Sequence, residues 1–279
     1  MPSLSTLHRT AFVTGASTGL GRAFVEMLLA EGVEVWGTAR DVARLAPLTA
    51  NVKFRAVELN LDDPRGTEGA FLAAAKAAGG SFDLVVNNAG YGVFAPFAGV
   101  DFAVWQTQLN AMLGSTSLLT HLALRGMLAR KRGCIVNVAS LATDFPLPFM
   151  SGYNVVKAGL SALTESLIFE TRGSGVTVID FRPGDFQTGF NTTMQAKAGK
   201  SAAGEDPRLA PTWRTLETNL NAAPPPTGAA AGLRKALLRR KSGTVRCGSF
   251  FQAHLAPFIV RFAPAGLRRA VMALYFGAN

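Results

Sequence analysis

The chain of 279 residues is poor in cysteine and histidine. Its two cysteines, Cys134 and Cys247, cannot build a disulfide framework, and its three histidines are scattered. We therefore expect a protein of the reducing cytoplasm without a metal site. No run of about 18 uncharged apolar residues occurs, and no long apolar run follows the first charges, so neither a spanning helix nor a signal peptide is expected.

Acidic residues are scarce only in the C-terminal quarter. Residues 208–279 carry 11 lysines and arginines against the single acid Glu217, whereas the charges of residues 1–207 cancel. This local excess accounts for the net charge of +10. It suits an anionic partner or is a solvated basic face. Nucleic acid is not expected, because the quarter contains no recognisable binding module and few interleaved aromatic residues.

Apolar strand patterns alternate with helical ones through most of the chain. Such alternation predicts an α/β fold, a parallel sheet with helices on both faces, in one domain over 1–279. The predicted strands are Thr10–Val13, Val33–Thr38, Val52–Leu59, Asp83–Asn87, Cys134–Ala139, Val176–Phe181 and Thr244–Gly248. The predicted helices are Ala23–Ala30, Pro64–Ala78, Phe102–Arg130, Tyr153–Arg172 and Gly228–Lys241.

Two segments interrupt this alternation. Residues 191–226 show no strong apolar period and are rich in Ala, Thr, Asn and Pro, so we expect a substrate-binding loop or lid over 189–230. Residues 250–279 form a basic, apolar extension with helix breaks at Pro257 and Pro264. Leu267, Val271 and Leu274 share one helical face there, which predicts packing around the pocket or a subunit interface, or contact with an anionic membrane surface.

A glycine-rich turn joins the first strand to the first long helix. It reads Thr14-Gly15-Ala16-Ser17-Thr18-Gly19-Leu20-Gly21. Glycines in this position let the backbone turn sharply and approach a pyrophosphate at the helix N-terminus. The strand, turn and helix together predict a dinucleotide site in a doubly wound, Rossmann-type sheet.

Tyr153 and Lys157 stand four residues apart on a predicted helix and therefore share one face. An ammonium close to a phenol favours the phenolate and lowers the phenol pKa toward neutrality. The pair is thus a candidate for proton transfer, although most such pairs lie on solvated surfaces.

These residues occur in order with Asn87-Asn88-Ala89-Gly90 after the fourth strand and Pro183-Gly184 after the sixth. Over residues 8–190 the chain resembles the classical short-chain dehydrogenase/reductase family, and most nearly its hydroxysteroid- and retinol-dehydrogenase-like members. The resemblance implies an oxidoreductase that transfers hydride between a nicotinamide and a carbonyl or alcohol carbon. We also expect a homo-oligomer, a dimer or tetramer.

The resemblance implies a catalytic set of four residues. Tyr153 would exchange a proton with the substrate oxygen, and Ser140 would polarise that oxygen. Lys157 would lower the tyrosine pKa and bind the nicotinamide ribose. Asn110 would hold a water that links the lysine to solvent.

The resemblance also implies a set of coenzyme contacts. Asn60 replaces the acid usual after the third strand, and Ala139 replaces a frequent serine. The implied contacts are Gly15, Ser17, Thr18, Gly19, Leu20, Gly21, Arg40, Asn60, Leu61, Asn88, Ala89, Gly90, Tyr153, Lys157, Pro183, Gly184, Phe186 and Thr188.

The end of the second strand indicates the coenzyme. Members that use NAD usually place an acid there for the ribose 2′-hydroxyl, but this chain has Ala39 followed by Arg40. A guanidinium can pair with a 2′-phosphate, so NADP(H) is predicted, with NAD(H) as the alternative. Asp41 is interpreted as the cap of the following helix.

Aromatic and aliphatic residues between Ser140 and Tyr153 predict an apolar wall beside the reacting centre, unless they are ordinary core. A lipophilic ketone or alcohol is the expected substrate. The alternative function is a non-catalytic NADP(H)-binding redox sensor on the same fold, which predicts a damaged catalytic set. The candidate substrate contacts are Phe94, Phe145, Leu147, Phe149 and Phe190.

Overall fold

A seven-stranded sheet organises the protein. The structure, a computed structural model, describes residues 3–190, 194, 206–250, 252–253, 257 and 262–276. The strands lie in the order β3-β2-β1-β4-β5-β6-β7, and every neighbouring pair is parallel. They are β1 (Thr10–Val13), β2 (Glu34–Ala39), β3 (Phe54–Glu58), β4 (Leu84–Asn87), β5 (Gly133–Val138), β6 (Val176–Pro183) and β7 (Gly243–Cys247).

Helices cover both faces of the sheet. A π-helical segment, Asn110–Ser115, separates two of them. The helices are α1 (Leu4–Leu7), α2 (Gly19–Ala30), α3 (Pro64–Ala77), α4 (Phe102–Leu109), α5 (Thr116–Ala129), α6 (Ser151–Glu170), α7 (Leu209–Asn221), α8 (Thr227–Arg239) and α9 (Ala265–Phe276). None of the helices in the described ranges is long and apolar enough to cross a membrane.

Each face of the sheet has its own apolar core. Ala11 and Val13 of β1 pack with α2 and α8, whereas Phe12 packs on the opposite face with Phe71 of α3 and Leu119 of α5. This alternation follows from the two-residue period of a strand that is buried on both sides. The predicted doubly wound parallel sheet is therefore confirmed.

The strand order reverses between β1 and β4, where the chain winds first in one direction and then in the other. At such a switch point the loops after neighbouring strands diverge and leave a crevice at the carboxyl edge of the sheet. The glycine turn follows β1 and Asn88 follows β4, so both motifs meet at this crevice.

The structure corrects two predicted elements. Within residues 191–226, expected to be irregular, Leu209–Asn221 forms a helix, whose Pro211 lies in the first turn, where proline is tolerated. The helix predicted over Phe102–Arg130 is interrupted by the π-helical segment. Residues 191–193, 195–205, 251, 254–256, 258–261 and 277–279 of the predicted lid and tail lie outside the described residues.

Candidate active site

A cavity of about 1360 Å³ opens at the carboxyl edge of the sheet. One half is formed by the turns and loops that follow β1, β2, β3 and β4. The other half is formed by residues after β5 and β6 together with α7 and α9. We call these the strand-end half and the helix half. The ends of β5 and β6 and the first turns of α6 lie where the halves meet.

Close backbone packing shapes the strand-end half. A side chain at Gly21 would overlap the carbonyl oxygen of Gly15 and approach Asn88 Nδ2 to 2.5 Å. Thr14 joins the turn to the loop after β4, because its Oγ1 accepts hydrogen bonds from the backbone N–H groups of Asn88 and Ala89, each at 2.9 Å. The turn therefore presents backbone rather than side chains to the cavity.

The predicted coenzyme contacts gather in this cavity. All of them line it except Gly21, which lies behind the wall and allows the turn to close. Gly15 has a φ of +71° and Gly19 a φ of +56°, so the turn needs glycine at both positions. An extended groove of backbone N–H groups at a helix N-terminus fits a pyrophosphate-linked dinucleotide.

The residues after β2 carry positive charge into the strand-end half. Arg40 and Arg44 both line the cavity, and sequence reasoning missed Arg44. Asp41 Oδ1 accepts a hydrogen bond from the N–H of Ala43 at 3.0 Å and caps the turn Val42–Leu48, as predicted. Once Asp41 is interpreted as a cap, Arg44 falls on the short helix that it caps, three residues after it, and could have been predicted as a second cation.

Tyr153 and Lys157 share one face of α6, as their spacing predicts. Lys157 Nζ lies 5.7 Å from the centroid of the Tyr153 ring and donates a 2.7 Å hydrogen bond to the carbonyl oxygen of Val138. Ser140 follows β5 and lies close enough to the Tyr153 side chain to lower the pKa of the phenol. The C-terminal end of β5 and the first turns of α6 thus bring three of the four predicted catalytic residues together.

The protonation states of the pair follow from burial. Burial raises the pKa of Tyr153 to about 12; the Ser140 side chain opposes this shift, and Asp185 adds to it. Burial also lowers the pKa of Lys157 to about 8, against the attraction of Asp180. The net shift of the phenol pKa is therefore upward, opposite to the predicted lowering, because burial disfavours the charged form of each group. At neutral pH the phenol keeps its proton.

Asn110 is the one predicted catalytic residue that does not line the cavity. It is exposed at the start of the π-helical segment. Met112, two residues later, is 2% exposed and lines the cavity, and a Cβ built on Gly90 would contact both Met112 Cε and Lys157 Nζ. An apolar thioether therefore lies near the lysine, and the role of Asn110 in holding a water stays a prediction.

The predicted apolar wall divides into two layers. Phe145, Leu147 and Phe190 line the cavity, and the rings of Phe190 and Tyr153 lie 5.5 Å apart. Phe94 and Phe149 lie behind that wall and pack on each other at 5.7 Å. Phe94 is a core residue and Phe149 is a half-buried residue packed on that core, and core packing was the alternative interpretation of all five.

Sequence reasoning missed most of the helix half. Leu216 and Leu220 of α7 and Met272 and Phe276 of α9 line the cavity, and Asn219 Nδ2 donates a 2.9 Å hydrogen bond to Tyr275 Oη between the two helices. The signal in the sequence was the spacing of these residues, which recur at intervals of three or four along each helix and so share one face. Asp185 and Gln252 also line this half and were not predicted.

Comparison with known proteins agrees with this geometry. The chain is 30% identical to a short chain dehydrogenase of Pseudocercospora fijiensis over 186 residues, 64% of this chain and 60% of that protein, so it spans less than two thirds of that relative. It is 32% identical to serine 3-dehydrogenase of Agrobacterium fabrum over 200 residues, 71% of this chain and 79% of that enzyme.

A solved structure and a family model extend the comparison. The crystal structure of a short-chain dehydrogenase from Streptomyces avermitilis superposes with a TM-score of 0.77 at 27% identity and covers 97% of this chain and 96% of that one. The model of the short chain dehydrogenase family matches residues 9–199. The chain belongs to the short-chain dehydrogenase/reductase family of oxidoreductases.

Proposed function

We propose that this protein is an NADP(H)-dependent oxidoreductase that interconverts a ketone or aldehyde and the corresponding alcohol on a lipophilic substrate. The observation that carries the proposal is the meeting of Ser140, Tyr153 and Lys157 at the junction of the two cavity halves. A non-catalytic sensor would not need a protonated phenol and a buried ammonium at that junction. NADP(H) supplies or accepts the hydride.

The residues of the chain perform the proton chemistry. In reduction, Tyr153 Oη donates its proton to the substrate oxygen as negative charge develops there, and the Ser140 hydroxyl donates a hydrogen bond to the same oxygen. The Lys157 ammonium lies on the same helix face and stabilises the phenolate that remains. In the oxidation direction the same groups act in reverse.

Arg40 and Arg44 support the choice of NADP(H). Both line the strand-end half beyond β2, where Ala39 stands at the position of the acid that would hold a ribose 2′-hydroxyl. A guanidinium pairs with phosphate through parallel hydrogen bonds, which favours a coenzyme that carries the 2′-phosphate. Asp41 is held in a cap by Ala43 and is not needed for the ribose.

The helix half supports a lipophilic substrate. Leu147, Phe190, Leu216, Met272 and Phe276 all line it, and a concave apolar wall with few polar groups binds apolar molecules. We assign α9 to this wall rather than to a membrane surface, because Leu267 and Val271 line the cavity.

The proposal includes self-association into a dimer or tetramer. Val155 and Phe169 are exposed apolar residues on the long helix α6, which suits a partner copy. Light scattering on the purified protein tests this part, and a monomer across the working concentration range would contradict it.

Oxidation of NADPH by the purified protein tests the proposed activity. We expect turnover with apolar ketones or aldehydes from a panel of graded polarity, and slower turnover with NADH. A protein that binds NADPH but turns over no member of the panel in either direction would instead be the non-catalytic sensor.

A further inference from the structure

Asp185 is an acid at the helix half of the cavity that the proposed chemistry does not use. It follows Pro183 and Gly184 at the end of β6 and lines the cavity. The negative charge of Asp185 raises the pKa of the Tyr153 phenol and of the Tyr275 phenol. Asp185 therefore lies near both the reacting centre and α9.

Gln252 holds this carboxylate in place. Gln252 Nε2 donates a 2.7 Å hydrogen bond to Asp185 Oδ2, and Gln252 also lines the cavity. Gly184 makes room for this amide, because a Cβ there would approach Gln252 Oε1 to 2.9 Å. The backbone N–H of Gly184 donates a 2.7 Å hydrogen bond to the carbonyl oxygen of Cys247, which fixes the end of β6 against β7. Asp185 is thus fixed just after the end of β6, and Gln252 follows the end of β7 by five residues.

The surroundings leave this carboxylate short of partners. Among the ion pairs of the described residues, none involves Asp185. Burial raises its pKa, and the hydrogen bond from Gln252 opposes that shift only in part. Among the residues that the structure describes, the other acids that line the cavity are Asp41 and Asp62, and both belong to the strand-end half. A donor group on a ligand would relieve the desolvation of Asp185.

We propose that Asp185 and Gln252 form a second polar subsite that binds a hydrogen-bond donor of the substrate, a hydroxyl or an ammonium group. This inference rests on the proposed function and narrows its substrate class to apolar skeletons that carry a donor apart from the reacting carbonyl. A site built to hydrogen-bond a substrate donor rejects an analogue that lacks it, because its own polar groups are then left unpaired.

Matched ring ketones test the subsite. The substituent on the far side of the ring is a hydroxyl or an ammonium group in the donors and a methoxy or methyl group in the controls, which cannot donate. The wild-type ratio of kcat/KM for donor over methoxy ketone should be about tenfold or more, the value of 1.4 kcal/mol. Comparison of kcat/KM for the hydroxyl ketone and the ammonium ketone shows whether the subsite prefers a neutral donor or a cation.

Asp185→Asn should lower this ratio about tenfold for the ammonium ketone, since the attractive charge is lost. Gln252→Leu is the second variant, and it should lower the same ratio by a smaller factor because the carboxylate loses its anchor. Asp62→Asn is the matched control, since it neutralises a cavity acid in the strand-end half and should leave the ratio unchanged. An equal loss with all four ketones, or a change in KM for NADPH alone, would make Asp185 a structural or coenzyme contact and overturn the inference.

Calorimetry separates this inference from the proposed activity. Ring alcohols with and without the second donor bind without needing turnover. Tighter binding of the donor alcohol that is lost in Asp185→Asn supports the subsite even if no ketone is reduced. Equal binding of both alcohols overturns it even if ketones are reduced.

Discussion

The two halves of the cavity are built in different ways. The strand-end half is shaped by backbone: a glycine turn, the Thr14 hydrogen bonds and the ends of four strands, all within residues 10–90. The helix half is shaped by side chains from segments as distant as Phe145, Leu216 and Phe276. Backbone constraints leave few acceptable residue types, whereas an apolar wall accepts many. The strand-end half can therefore be predicted from sequence motifs. In the helix half, substitutions can change which substrates the protein accepts.

Removal of the proton donor at the junction should have the largest effect. Tyr153→Phe removes one oxygen and little volume, so turnover should fall about 10²-fold or more while binding of NADPH is retained. Single-turnover kinetics and fluorescence titration measure the two quantities. A variant that keeps a tenth of the wild-type kcat would show that Tyr153 is not the acid.

The pH dependence of stability should reveal Lys157, whose pKa is about 8 in the folded protein and near 10.5 unfolded. Between these values the unfolded chain keeps a proton that the folded chain has lost, so Lys157 makes the wild type more stable as the pH rises. Relative to Lys157→Met, the unfolding free energy of the wild type should increase by about 1.4 kcal/mol per pH unit.

Urea unfolding of both proteins at several pH values tests this slope. Tyr153, Tyr91 and Cys134 are present in both chains, so their titration cancels in the difference. A difference that stays constant from pH 8 to 10 would mean that Lys157 is not desolvated in the folded protein.

A methyl group in the glycine turn should break the strand-end half. Gly21→Ala drives a Cβ into the Gly15 carbonyl oxygen, so we expect a loss of about 1–3 kcal/mol in unfolding free energy and weaker NADPH binding. Gly69→Ala on α3 is the matched control, because nothing lies within 4 Å of its Cβ. That change should leave binding unchanged and stabilise the helix by up to about 1 kcal/mol. Equal effects of the two changes on binding would contradict the role of the turn.

Exchange of charge after β2 should invert the coenzyme preference. In Ala39→Asp with Arg40→Leu, the new carboxylate repels the 2′-phosphate and accepts a hydrogen bond from a ribose hydroxyl, so kcat/KM should change at least about tenfold in favour of NADH. Arg65→Leu, an exposed change outside the cavity lining, is the control. A wild-type preference for NADH would contradict the assignment to NADP(H).

The smallest effect is expected in the helix half. Met272→Ala removes part of the cavity wall and should raise KM for an apolar ketone about fourfold, the value of one buried methylene group. Leu274→Ala on the same helix is the control, since Leu274 is 74% exposed and does not line the cavity. Equal effects of the two changes would mean that α9 does not contact the substrate.

These contrasts show what the sequence could predict. All seven strands and the contacts of the glycine turn were predictable because periodicity, glycine and short motifs restrict the backbone. The positions of Leu216 and Met272 in the cavity wall were not predictable, because the sequence of a partly apolar helix does not show which cavity its apolar face covers. The role of Asn110 stays a prediction, and the sequence did not show that the α-helical period no longer holds from that residue onward. The Tyr153 pKa depends on burial, which adjacent residues do not reveal.

The π-helical segment Asn110–Ser115 changes the phase of a long helix. Its wider turn takes up about one residue more than an α-turn, so the faces before and after it are rotated relative to each other by about 100°. Before it, Gln108 Nε2 donates to the carbonyl oxygen of Tyr91 beside the cavity. After it, Thr120 Oγ1 accepts from Asn87 Nδ2 inside the sheet core. Deletion of a single residue here would restore a uniform helix and force either Gln108 or Thr120 away from its partner, so the length of this segment is constrained as tightly as its sequence.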